Sequence, residues 1–155
     1  MNRNPDRCTG EAASRERLVI AERPRALVAE DDPGIRVMLW RILFHSGFEV
    51  DAVADGHAAL EAVMTNDYTV IVLDLMMPRM DGFAVIADLQ QRRPELLQRI
   101  IVTTASGEMD VQHVRPLVES FIEKPFDISG LLQTARSIVA QSTGRSRLAA
   151  EPLSR

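Results

Sequence analysis

Acids, hydroxyls and a lone lysine recur at matching places along this chain. Glu30, Asp31 and Asp32 follow the apolar run 26–29, Asp74 follows 70–73, Thr103 and Thr104 follow 100–102, and Lys124 follows 121–122. If these runs are parallel strands of one sheet, every run-end lies on the same edge, where open α/β folds place their ligands. Three carboxylates in one cleft stay ionised only beside a cation. Hard oxygen ligands of this kind suit Mg²⁺, which keeps some of its water and takes one or two protein carboxylates plus a phosphate oxygen. A lysine and a threonine hydroxyl opposite them suit phosphate oxygens. The chemistry implied is a carboxylate that accepts a phosphoryl group. Lys124 adds weight because it is the one lysine among 18 basic residues, a compact charge on a flexible stem where the chain elsewhere uses arginine.

Other residues read as structure. Asp32 precedes Pro33 and is expected to cap a helix. His45, His57 and His113 are too scattered to form a metal site, and Met76, Met77 and Met80 read as loop packing. Thr103 and Thr104 are adjacent and both β-branched, so the spacing leaves open which hydroxyl faces the site.

The elements that must position these residues alternate between short apolar runs and amphipathic stretches. Residues 26–29, 70–73, 100–102 and 121–122 are predicted as buried strands. Residues 48–54 alternate Glu49 and Asp51 with Val50 and Ala52, as an edge strand does. Helices are predicted after Asp32 up to Gly47, over 56–66, over 81–93 until Pro94, and after a cap at Asp127 through Ile128, Leu131, Leu132, Ala135 and Val139. A further helix over 110–120 contains Pro116, which removes a hydrogen bond and should kink or shorten it.

A length of 155 residues matches about one domain, here 24–142, between a polar extension at 1–23 and a polar tail at 143–155, both expected to be mobile. No apolar run approaches the about 18 residues of a membrane span, and residues 1–25 hold no apolar core of signal-peptide length. We therefore expect a cytoplasmic protein without membrane contact. Cys8 has no intrachain partner, which excludes a disulfide framework or thiolate cage. Residues 26–142 carry 17 acids against 8 Arg and one Lys, a net of −8, which argues against direct nucleic-acid binding.

Four fragments in order carry a resemblance: Ala26-Leu27-Val28-Ala29-Glu30-Asp31-Asp32-Pro33, Val72-Leu73-Asp74-Leu75-Met76-Met77-Pro78-Arg79-Met80-Asp81-Gly82, Val102-Thr103-Thr104-Ala105 and Glu123-Lys124-Pro125-Phe126. Together they resemble the receiver domain of two-component response regulators. The resemblance implies a flavodoxin-like three-layer (βα)5 fold with a five-stranded parallel sheet in the order 2-1-3-4-5. It makes Asp74 the phosphoacceptor, served by a sensor histidine kinase or a histidine phosphotransfer protein. It assigns Mg²⁺, with Mn²⁺ as a substitute, to Asp31, Asp74 and the Met76 backbone carbonyl, with Glu30 acting through water. Lys124, Thr104 and the Ala105 amide would hold the phosphoryl oxygens, Phe121 would turn inward as the switch, and the Lys124–Pro125 bond is a candidate cis peptide.

The resulting expectation is a single-domain regulator, not a turnover enzyme, whose phosphorylation switches a face that binds a downstream protein or a second copy of the chain. Phe121 carries no hydroxyl, so the read-out cannot depend on one. The alternative within the family is a phosphorelay intermediate that passes the group to another histidine. A haloacid-dehalogenase-like phosphatase would need a second acid at position 76, where this chain has Met76. A degenerate receiver acting only as a scaffold conflicts with the presence of both acids, the acceptor and the lysine.

Overall fold

The computed structural model describes residues 22–105 and 111–149. The expectations for Cys8, residues 1–21 and residues 150–155 lie outside them. Within the described residues the order is β1 (Arg25–Ala29), α1 (Pro33–His45), β2 (Glu49–Val53), α2 (Gly56–Thr65), β3 (Val70–Asp74), α3 (Gly82–Arg92), β4 (Ile100–Ala105), β5 (Ser120–Lys124) and α4 (Ile128–Ala149), with short 3-10 helices at Pro94–Arg99 and Arg115–Leu117. All pairings are parallel and the sheet runs β2-β1-β3-β4-β5. This is the flavodoxin-like arrangement expected from the resemblance, with helices on both faces.

Strand parity sorts the core into two layers. Ala26, Val28, Val70, Val72, Ile101 and Ile122 face α1 and α4, meeting Leu39, Leu43, Leu131 and Ala135. Leu27, Ile71, Leu73, Ile100 and Val102 face α2 and α3, meeting Ala59, Val63, Ile86 and Leu89. The central β3, with sequence VIVLD, is buried at all five positions, which is why it reads as an unbroken apolar run ending in an acid. Aspartates start three of the helices. Asp32 accepts from the Ile35 N–H at 2.8 Å, Asp55 from Ala58 at 2.9 Å and Asp81 from Ala84 at 2.8 Å, satisfying N–H groups that the first turn leaves unpaired.

Three expectations are corrected. The segment 110–120 does not form an α-helix among the described residues: after a turn it holds only the 3-10 helix Arg115–Leu117, with Pro116 in its first turn. Pro116 lacks the N–H that an α-helix would need there, yet Val114 and Val118 still bury themselves in the α2/α3 layer. The tail expected from residue 143 is helical to Ala149, because α4 meets no proline before Pro152 and Thr143 continues its bonding, donating from Oγ1 to the Val139 carbonyl at 3.0 Å. On β2 the alternation fails: Ala52 is exposed and Asp51 half-buried. Asp51 is drawn in by the Tyr68 hydroxyl at 2.7 Å and the Arg25 guanidinium at 2.8 Å. None of the described helices is long and apolar enough to cross a membrane.

Candidate functional site

The carboxyl edge of the sheet gathers the acids because β1 and β3 are neighbours in register, Ala29 opposite Leu73, so that Glu30 and Asp74 leave the two strands side by side. Both are almost fully buried, at 1% and 2% exposure. Lys124 arrives from β5, two strands away, on a side chain long enough to reach back across β4. Its Nζ lies 3.0 Å from Glu30 Oε2, 3.3 Å from Oε1 and 3.1 Å from Asp74 Oδ2. Asp74 Oδ1 accepts the Met76 N–H at 3.1 Å, so both Asp74 oxygens are engaged. Burial pushes the Glu30 carboxyl above its ordinary value, and the Asp74 charge adds to this against the opposing hydrogen bond from Lys124. For Lys124, burial pulls the ammonium down, but the bonds and charges of Glu30 and Asp74 outweigh it and the net shift is upward.

Asp31 is exposed beside this pair, and one carboxylate oxygen from each of Glu30, Asp31 and Asp74 fits within a span of 4.8 Å. Three hard oxygen donors at that spacing can hold a metal ion. Asp32 is turned away as the α1 cap, although its own N–H donates to Glu30 Oε1 at 3.3 Å.

The strand parity that the spacing left open is decided by the register. Asp74 pairs with Thr103, and Ile122 with Thr103 in turn, so Thr103 shares the α1/α4 face with Asp74 and Lys124. Thr104 lies on the opposite face, the one that carries Val102 and Phe121. It is buried, and its hydroxyl donates to the Ala105 carbonyl at 3.2 Å. Ala105 is exposed at the strand end, and Phe121 is half-buried beneath the Arg115 guanidinium, 4.7 Å from its ring centre. The Lys124–Pro125 peptide is cis.

Several contributors escape a sequence reading. Arg36, on the first turn of α1, points back and donates to the carbonyls of Glu30 at 2.8 Å and Asp31 at 3.0 Å, holding the acidic loop from beneath. The loop after Asp74 is pinned by two glycines. Gly82 donates to the Leu75 carbonyl at 3.0 Å, and a Cβ there would overlap the Asp74 carbonyl and sit 2.8 Å from Leu75 Cα. Gly56 donates to the Met80 carbonyl at 3.2 Å, and its Cβ would fall 2.5 Å from that oxygen. Arg79 adopts a left-handed φ of 69° in this loop and forms an ion pair with Asp55. The Ala58 N–H first, and Arg79 with it, hold the Asp55 carboxyl below its usual value. Of the methionines read as packing, Met77 is buried and Met80 lies against the core, but Met76 is 57% exposed beside the acids.

The response regulator receiver domain family matches residues 26–136. The transcriptional regulatory protein TcrA of Mycobacterium tuberculosis is 36% identical over 116 residues, covering 74% of this chain and 45% of the relative. The response regulator MprA of Mycolicibacterium vanbaalenii is 30% identical over 119 residues, covering 77% and 52%. This chain thus spans about half the length of the curated relatives it matches. Among solved structures, the receiver domain of the Francisella response regulator 1452 superposes with a TM-score of 0.69 at 26% identity, covering 77% of this chain and 98% of the other. The response regulator TrrA of Thermotoga maritima, solved with Mg²⁺-BeF, gives 0.68 at 25% identity, covering 74% and 98%. With a family match across most of its length and its fold shared with solved receiver domains, this chain belongs to the response regulator receiver domain family, a signalling family of two-component systems.

Proposed function

We propose that Asp74 accepts a phosphoryl group from a phosphohistidine on a sensor kinase or phosphotransfer protein. The observation that carries this reading is a buried carboxylate at a strand end, beside two more acids and in contact with the chain's one lysine. An Asp74 oxygen attacks phosphorus; the P–O bond forms as the P–N bond breaks, and the imidazole nitrogen keeps the electron pair and takes up a proton. Asp31, Asp74 and the Met76 carbonyl would hold Mg²⁺, or Mn²⁺ in its place, with Glu30 reaching it through water. Bound there, the ion supplies charge neutralisation and orientation for in-line transfer.

Once Asp74 carries the phosphoryl group, its carboxylate charge no longer holds Lys124, which turns to the phosphoryl oxygens. Thr104 gives up the Ala105 carbonyl to donate to the same group, joined by the Ala105 N–H. Because Thr104 and Phe121 share a face of neighbouring strands, space released by one is open to the other. Phe121 turns inward, and the surface formed by the 3-10 crossover, β5 and α4 changes shape for a downstream protein or a second copy of the chain. Such a local charge change biasing two packings is a population shift. The net acidic charge of residues 26–142 disfavours direct binding of nucleic acid by this domain.

The test is intact mass after incubation with Mg²⁺ and acetyl phosphate, for the native protein and Asp74→Asn. One Mg²⁺-dependent, hydroxylamine-labile phosphoryl adduct in the native protein alone is expected. Its absence, or its persistence in Asp74→Asn, removes Asp74 from the role.

A further inference from the structure

Thr103 is a buried hydroxyl set among apolar neighbours. Its strand neighbours on the α1/α4 face, Ile101 and Ile122, are apolar, as are Val70 and Val72 on β3. Thr103 has 0% exposure, and its Oγ1 finds no hydrogen-bond partner among the described residues. A buried donor without a partner is costly to keep, and valine would fill the same β-branched shape without one. The position is also fixed against the site. Thr103 is the register partner of Asp74 across one strand spacing of about 4.8 Å, and the Leu75 N–H is tied to the Thr103 carbonyl at 3.1 Å.

In the free protein each Asp74 oxygen already has a donor, Oδ1 the Met76 N–H and Oδ2 Lys124. That changes when Lys124 turns to phosphoryl oxygens and one Asp74 oxygen loses its donor. We infer that Thr103 is a positioning residue for the phosphorylated state, its hydroxyl rotating about χ1 to donate to the Asp74 oxygen that Lys124 leaves. The inference rests on the reading of Asp74 as phosphoacceptor. It divides the two threonines: Thr104 answers to the phosphoryl group and the Phe121 face, Thr103 to the carboxyl group that carries it.

The experiment is a calorimetric titration with beryllium fluoride in the presence of Mg²⁺, on the native protein, Thr103→Val, Thr103→Ser and Asp74→Asn, with thermal melts of each free protein. Thr103→Val should melt at the native temperature or above it, because it loses an unpaired buried hydroxyl. It should bind beryllium fluoride about threefold to tenfold more weakly, the worth of one neutral hydrogen bond. Thr103→Ser should restore the affinity. Equal affinity in Thr103→Val, or a clear fall in its free melting temperature, overturns the inference, the latter because the hydroxyl would then have a partner already. Failure of the native protein to bind, or binding by Asp74→Asn as tight as native, defeats the phosphoacceptor reading instead.

Discussion

Replacing Lys124 by methionine should expose how the site is held together before any phosphate arrives. The ammonium lies 3.0 Å from Glu30 and 3.1 Å from Asp74, whose side chains are 1% and 3% exposed, while its own side chain is 22% exposed. Removing one partner from a buried ion pair costs about 3–5 kcal/mol. Partial exposure of the lysine screens the interaction and brings the expected loss to about 2–3 kcal/mol at pH 7, roughly 10 °C in Tm for a domain of this size. The loss should depend on pH in a defined direction. Burial already holds the Glu30 carboxyl above its unfolded value, and without Lys124 the shift grows. A carboxyl raised in the folded state destabilises the fold above its folded pKa and is relieved as pH falls through it. The deficit of Lys124→Met should therefore be full at pH 7 and shrink on acidification toward the ordinary Glu value. Mg²⁺ should stabilise the variant more than the native protein, since a cation binding only the folded state adds stability by mass action and the ammonium no longer competes for the same oxygens. Urea unfolding at pH 7 and pH 5, with and without Mg²⁺, measures each point. A loss under about 0.5 kcal/mol, or one unchanged between the two pH values, would refute the reasoning.

Two further outcomes separate roles that adjacent residues share. Asp32→Ala should lose about 1 kcal/mol of stability through the missing α1 cap and keep the Mg²⁺-induced rise in Tm, whereas Asp31→Asn should keep stability and lose most of that rise; thermal melts with and without Mg²⁺ compare them. Tyr68, the chain's one tyrosine, is pushed up to about 12 by burial and then by its bond to Asp51, so absorbance at the phenolate band should titrate near 12. The unfolded chain loses this proton near 10, so stability should fall with rising pH between those values, and a midpoint at the ordinary tyrosine value would contradict the packing of that hydroxyl.

Local pattern carried a good deal of this molecule. The apolar runs at 26–29 and 70–73 are strands because a sheet covered on both faces demands continuous apolar side chains, and the Asp32-Pro33 pair starts α1 because a cap and a fixed φ act within one turn. These are effects of near neighbours in the chain, so composition and spacing suffice to read them. The order of acids, hydroxyls and lysine along the chain also pointed to one edge and one chemistry, since parallel strands must end together.

What tertiary structure decided are the relations between strands and loops distant in sequence. Which threonine faces Asp74 depends on the register of β3 with β4 and on nothing in the Thr103-Thr104 pair itself. That Lys124 bridges Glu30 and Asp74 follows from a side chain crossing from β5 to β1, and the hold of Gly82 on the Asp74 loop from backbones meeting closer than a Cβ allows. The segment 110–120 shows the limit most plainly. Its apolar spacing favours a helix, one proline opposes it, and the outcome is a short 3-10 turn that still delivers Val114 and Val118 to the core. Spacing states which side chains need burial; the backbone conformation that buries them is chosen by competition between local sterics and the packing surface that the rest of the chain provides.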